Sequence, residues 1–182
     1  MITIQVNDRQ VLDMLGELAR RCSNLKPAMK EIGEDLVTST KARFASATSP
    51  DGAPWAANSQ VTIDRFLGLH ITNYRKDGSI IPNRNLKKDG SLSKQGAARA
   101  GAKTPLTGET KTLRSTINYQ LDGNSSVRIG SPKVYAAMQQ FGGTKAQWPH
   151  LWGDIPARPF LGVSNADKAN ILDIIGNYLV RE

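Results

Sequence analysis

Hydrophobic positions fall into distinct periods along the chain. Ile2, Ile4 and Val6 alternate with polar residues, the period-2 pattern of a half-buried strand. Asn7 or Asp8 then stands where a helix cap is needed, and Val11, Leu12, Leu15, Leu18, Ala19 and Cys22 share one helical face opposite Asp13, Glu17 and Arg21. Cys22 reads as a small core residue of that face. Leu25-Lys26-Pro27 separates this helix from a second, because proline suits a first helical turn. The apolar face of the second helix is Ile32, Leu36, Val37, Thr40 and Phe44, and the two helices are expected to pair. Ser49-Pro50-Asp51-Gly52 has the composition of a β-turn and leads into Trp55, which either anchors the turn as a buried indole or presents itself to a partner.

Order resumes near Leu106. Leu113 to Leu121 carries Ile117, Tyr119 and Leu121 in alternation, Asp122-Gly123-Asn124 makes a turn, and Ser126 to Gly130 alternates again, which predicts a β-hairpin. Val134 to Phe141 reads as a short helix with Tyr135, Met138 and Phe141 on one side, ended by Gly142-Gly143. Ile155 to Val163 contains Pro156 and Pro159, so it is an extended arm or an edge strand. Ser164 and Asp167 have capping-box spacing ahead of a last helix, whose buried face is predicted as Ile171, Leu172, Ile175, Tyr178 and Leu179. The fold class is α+β: N-terminal helices, a small mainly antiparallel sheet, a C-terminal helix and a long basic insertion.

That insertion is where charge changes the picture. The chain of 182 residues has 24 Lys+Arg against 16 Asp+Glu, a net charge of +8. Between Arg65 and Lys103 stand Arg65, Arg75, Lys76, Arg84, Lys87, Lys88, Lys94, Arg99 and Lys103 against Asp77 and Asp89 alone, so the surplus is concentrated there. Few large apolar residues occur from Gly68 to Pro105, and Lys76-Asp77-Gly78-Ser79-Ile80 is echoed by Lys88-Asp89-Gly90-Ser91-Leu92. Both Asp-Gly pairs predict tight turns. Residues 68–105 thus read as a mobile arm or short hairpin within a single domain spanning 1–182. The segment is either a solvated loop or a basic finger for phosphates or an acidic partner. As a finger it would give salt-dependent, sequence-independent nucleic-acid affinity; with only Phe66 and Tyr74 it lacks a stacking platform for single strands.

Several chemistries find no support. Cys22 is the one cysteine, which leaves no disulfide framework and suits a reducing compartment. His70 and His150 are far apart in unlike contexts, no phosphate-cradling glycine loop is present, and no carboxylate pair is marked out for catalysis. No apolar run approaches the roughly 18 residues needed to span a bilayer, and the first residues lack the basic and apolar regions of a signal peptide. The expectation is a protein with no enzymatic activity, cofactor or membrane partner.

The ordered motifs Arg43-Phe44, Ser49-Pro50-Asp51-Gly52-Ala53-Pro54-Trp55, Leu106-Thr107-Gly108, Leu113-Arg114-Ser115-Thr116-Ile117, Tyr135 to Gly143 and Ile155-Pro156-Ala157-Arg158-Pro159-Phe160-Leu161-Gly162 carry a resemblance. In this order they resemble the phage virion-morphogenesis, or tail-completion, family of contractile-tailed phages and prophages. The resemblance covers nearly the whole chain except the basic segment. It implies a structural protein of the head–tail junction or tail end, located in the virion and in the host cytoplasm during assembly. It also implies an oligomeric ring whose partners are tail tube, connector or head proteins. Trp55, Tyr135, Gln139, Phe141, Arg158, Pro159, Phe160 and Leu161 are the candidate interface residues. The pre-extended arm either packs on the last helix or meets a neighbour, and both hold if Phe160 points inward and Arg158 outward. Arg75, Lys76, Arg84, Lys87, Lys88, Lys94, Arg99 and Lys103 are the candidate contacts to phosphate, including non-specific DNA, or to an acidic partner.

Overall fold

A computed structural model describes residues 8–108, 112–151 and 153–180. The expected first strand, Met1 to Val6, lies outside the described residues. The rest forms an α+β fold: helices α1 (Arg9–Ser23), α2 (Lys26–Ser46), α3 (Gln60–Leu67), α4 (Lys94–Ala102), α5 (Thr112–Ser115), α6 (Ala136–Phe141) and α7 (Asn165–Val180), with two antiparallel hairpins, β1 (Asn73–Tyr74) with β2 (Ile80–Ile81), and β3 (Asn118–Asp122) with β4 (Ser126–Gly130).

Helix α2 is the spine. Pro27 sits in its first turn, and its buried stripe is Ala28, Met29, Ile32, Gly33, Leu36, Thr40, Arg43 and Phe44. The helix ends at Ala47, which takes a left-handed conformation at φ 53°. Two apolar clusters divide its length. Near its start, Ala28, Met29, Ile32 and Leu36 pack with Ile174 of α7 and with Leu121 and Val127 of the β3–β4 hairpin. Near its end, Phe44 packs with Trp55, Leu113, Ile117, Ala136 and Phe160. The helix of twenty-one residues is about 31 Å long, and the two clusters follow each other along it, with Ile129 of β4 packed against both.

The β3–β4 register pairs Tyr119 with Ile129 and Leu121 with Val127, and the hairpin lies across α2. Gly33 makes that crossing possible: a Cβ there would stand 2.6 Å from the Tyr119 ring and 3.0 Å from Val127. The strand begins later than its alternation suggests, because Thr112–Ser115 make a helical turn that places Leu113 and Ile117 in the second cluster.

The outer helices meet their predicted faces unequally. In α7, Ile171, Ile175 and Tyr178 of the expected face pack on the first cluster beside the buried Ile174, and Leu172 of that face is 70% exposed. In α1 the inversion is complete. None of its residues is buried, Cys22 is exposed rather than a core residue, and Val11, Leu12, Leu15 and Leu18 face solvent. Its half-buried residues are Glu17 and Arg21 from the polar side. Arg21 donates to the carbonyls of Tyr178 and Leu179, and the Tyr178 hydroxyl donates to Asn24 O at 2.6 Å.

The basic segment has more built structure than a mobile arm. The two Lys-Asp-Gly-Ser echoes form the same turn twice. Arg75 N–H donates to Ser79 O and Lys87 N–H to Ser91 O, each at 2.8 Å, while Gly78 and Gly90 take φ near 80°. This is a type I turn closed by a left-handed glycine. The Asp77 and Asp89 carboxylates each accept from the backbone N–H and hydroxyl of the serine two residues on. These bonds, the side-chain one first, hold both carboxyls below their ordinary range. Beyond the second turn, Ser93 caps α4, a helix the sequence reading left out. It packs on α3, and its Gly96 sits against the Asn85 backbone, where a Cβ would stand 2.2 Å from Asn85 O. Asn83 and Asn85 donate their amides to carbonyls at the end of α3.

Candidate assembly surface

The Ser49–Gly52 turn aims Trp55 into the second cluster. Ser49 N–H donates to Ala53 O at 2.8 Å, and its hydroxyl donates to Ala53 O and the Asp51 carboxylate. The Trp55 ring stands edge-on to Phe44 with centroids 5.3 Å apart, and its indole N–H donates to Pro159 O at 2.8 Å. Of the two readings of this residue, the structure places it as the buried anchor, 7% exposed.

The arm is fastened from several sides. Gly142 and Gly143 allow α6 to stop against it: a Cβ on Gly142 would lie 2.7 Å from Ala157 N, and Gly143 exchanges both backbone hydrogen bonds with Ile155. Gln140 works as a clasp. Its side-chain oxygen accepts from the N–H groups of Phe160 and Leu161, and its amide donates to Leu161 O. Gln139 contributes its backbone carbonyl, which accepts from Arg158 N–H at 2.8 Å. Phe160 has no exposed surface.

Arg158 points inward, contrary to the outward contact expected of it. It is 7% exposed, and its Nε and Nη2 donate to the carbonyls of Ala56 and Ala57, each at 2.8 Å. The arm must run past this corner, and a long side chain with a fork of donors satisfies two carbonyls that burial would otherwise strand. Burial lowers the Arg158 pKa from its ordinary value.

A second arginine, part of the Arg43-Phe44 motif but not among the candidate interface residues, fastens the arm from the other side. Arg43, on the buried stripe of α2, donates from Nη1 to Phe160 O and Gly162 O and from Nη2 to Ser39 Oγ and the Asp167 carboxylate. Asp167 also accepts from Ser164 N–H, while its own N–H donates to Ser164 Oγ, which completes the capping box of α7. Burial opposes ionisation of Asp167. Hydrogen bonds from Ser39 and Ser164 and the Arg43 charge outweigh it and hold the carboxyl below its usual range. One ion pair thus ties α2, the arm and the start of α7 together. A visible signal was Arg43's place seven residues after Leu36, a charge set on an apolar stripe.

On the outer side of the arm lies a cleft of about 750 Å³, walled by Val61, Leu106, Tyr135, Gln139, Ile155 and Arg158 among others. A shallower hollow shares Asp154, Ile155 and Pro156 with it and reaches Phe141. Of the candidate interface residues, Tyr135 and Phe141 are well exposed at 43% and 77%, while Gln139, Pro159 and Leu161 are half-buried. Among the basic candidates, Arg75, Lys76, Arg84, Lys87, Lys88 and Lys94 are exposed. Arg99 and Lys103 lie over the Phe66 ring, and Arg99 also donates to the Asn85 side chain. Among the described residues no group of His, Cys, Asp and Glu is placed to hold a metal ion, and no helix is long and apolar enough to cross a membrane.

The sequence pattern of the phage virion morphogenesis family matches residues 6–70 and 82–180. The chain belongs to that family. The match includes the fastened arm, α6 and the Trp55 corner. It also resumes inside the basic segment, so the second echo turn and α4 are family structure. The residues between the two matched stretches, 71–81, contain the β1–β2 hairpin and the first echo. The chain is 29% identical over 165 residues to "Putative capsid assembly protein G" of Escherichia phage Mu, covering 90% of this chain and 83% of that one. It is 37% identical over 75 residues to the Mu-like prophage FluMu G protein 2 of Haemophilus influenzae, covering 41% of this chain and 51% of that one. No solved structure matches.

Proposed function

We propose that this protein acts in tail completion or head–tail joining, as a ring of identical subunits that contacts other phage structural proteins. The carrying observation is the family match on both sides of residues 71–81. A structural assembly role follows from the family, and the phage Mu relative's name speaks of capsid assembly. A subunit at the junction of head and tail agrees with both descriptions. The exposed Tyr135 and Phe141 beside the cleft support a subunit boundary there, with the buried Arg158 and Phe160 shaping it from beneath. The test is a stop codon early in the reading frame of the parent phage, with electron microscopy of the lysate. Full heads and tails that stay apart, or tails of irregular end, are the expected outcome; intact virions overturn the reading.

A second role, non-specific contact with DNA, is favoured by the six exposed basic side chains of the 75–94 stretch. Binding to a random duplex should then weaken steeply with salt, and replacing Lys87 and Lys88 by glutamine should flatten that slope. A duplex affinity indifferent to salt removes this role.

A further inference from the structure

Helix α1 shows an apolar face that the described residues of its own subunit leave bare. Val11, Leu12, Met14 and Leu15 are each more than half exposed, and Leu18 is 40% exposed. The helix is nonetheless fastened, by the Arg21 and Tyr178 bonds from its other side. A contiguous apolar ridge of this kind marks a surface that something covers. Asp8 precedes Val11 and Leu12 by one helical turn, so it continues the ridge, and its side chain makes no capping hydrogen bond to α1.

The cleft is the complementary feature. Its walls carry Val61, Leu106, Tyr135, Ile155 and Pro156, and the adjoining surface carries Phe141 and Val134, which are 77% and 97% exposed. At its edge stands Arg158, more than nine-tenths buried and hydrogen-bonded only to neutral carbonyls. The ridge belongs to α1, which leads into the start of α2, whereas the cleft shares Leu106 and Leu113 with the cluster around Phe44 near the end of α2. Resting on the ring reading above, we propose that the α1 ridge of one copy docks in the cleft and against the Val134–Phe141 surface of a second copy. The Asp8 carboxylate then supplies the acidic partner that Arg158 lacks. Patch and receptor are different surfaces, so the contact is heterologous and repeats from copy to copy until rotation closes it. A two-fold pairing of ridge on ridge would leave Arg158 without an acid.

Two exposed substitutions test this on the full chain. Leu15→Asp spoils the ridge and keeps the cleft; Phe141→Asp spoils the receptor and keeps the ridge. Sedimentation velocity over a concentration series should show wild type growing beyond a dimer and each variant monomeric with an unchanged melting temperature. An equimolar mixture of the two should form a heterodimer and stop there, since one sound ridge and one sound receptor make one junction. Asp8→Asn should weaken wild-type association several-fold and reduce its salt dependence. Assembly of Leu15→Asp alone, a mixture that stays monomeric, or association indifferent to Asp8→Asn overturns the proposal. A wild type that stays monomeric gives the ridge to a different protein and also overturns it, while the assembly role stands or falls on the phage experiment.

Discussion

The spine region and the basic lobe are held together by different means. Around α2, two apolar clusters supply the packing, and the buried Arg43–Asp167 ion pair sits where three elements meet. The lobe of α3, α4 and the two echo turns buries little beyond Leu67; amide side chains and turn bonds hold it instead. The contrast is one of cooperativity. Removing a buried apolar group or an ion-pair partner is felt through the whole spine, whereas hydrogen bonds at one helix end secure only what they touch.

The largest effects should therefore lie in the spine. Phe160→Ala removes a side chain with no exposed surface, packed on Phe44 with ring centroids 5.4 Å apart, and should cost about 3–5 kcal/mol. Arg43→Met should cost a similar amount, because it leaves Asp167 charged and buried and frees the carbonyls of Phe160 and Gly162. Denaturant unfolding measures both. A loss under 1 kcal/mol for Arg43→Met would mean that the ion pair and its carbonyl bonds are incidental to the spine.

In the lobe the matching experiment is Asn85→Ala. Asn85 is 5% exposed, donates to Leu67 O at 2.8 Å and accepts from Arg99. Its loss should cost about 1–3 kcal/mol locally. Hydrogen exchange should quicken in α3 and α4 while α2 amides and the global melting temperature barely move. Equal acceleration in α2 would make spine and lobe a single cooperative unit.

The same contrast explains what the sequence disclosed. Helix α2, the β3–β4 hairpin, the Ser164–Asp167 box and the extended arm were readable because periodic apolar residues, turn glycines and prolines each have a direct geometric meaning. Helix α4 was not: Lys-Gln-Gly-Ala-Ala-Arg-Ala-Gly-Ala has no large apolar face, and its packing depends on Gly96 letting Asn85 come close. The interface candidates are mostly large side chains, yet Trp55 and Phe160 are buried within the subunit, and Arg158 lines the cleft while bonding to its own subunit's carbonyls. In α1 the periodicity located an apolar face but not its burial: Val11, Leu12, Leu15, Leu18 and Cys22 are exposed, because periodicity alone does not say what lies against a face. Arg43 and Gln140, which fasten the arm, carry no apolar signal of their own.

Acid offers a finer probe of the spine. The Asp167 carboxyl is held below its ordinary value of 3.8 in the fold, so the folded state favours its charged form. That contribution is complete above the unfolded value and is lost as pH falls through the lowered folded one. Wild type should therefore lose melting temperature below about pH 4 more steeply than Asp167→Asn, which starts lower but lacks this titration. Asp77 and Asp89 are also lowered, yet both remain in the variant, so the difference between the two curves belongs to the spine. Parallel curves would assign acid sensitivity to the exposed carboxylates instead.

The smallest expected effect tests whether the first echo belongs to the lobe at all. Residues 71–81 lie outside the family match, and all of them are exposed, including Ile71, Tyr74, Ile80 and Ile81. The bonds that close α3 come from Asn83 and Asn85, just beyond them, and the second echo turn follows at Lys87–Ser91. Replacing Ile71 to Ile81 by two glycines should leave melting temperature and α2 exchange unchanged, because the removed hairpin buries none of its own side chains. Removing Gly68–Lys103 is a different cut. It takes away both asparagines and α4, exposes Leu67, and deletes the Lys103 carbonyl that accepts from Asn58. That longer deletion should release α3 while leaving the spine folded. If the short deletion also loosens α3, the first hairpin braces the lobe and the boundary between family structure and addition lies elsewhere.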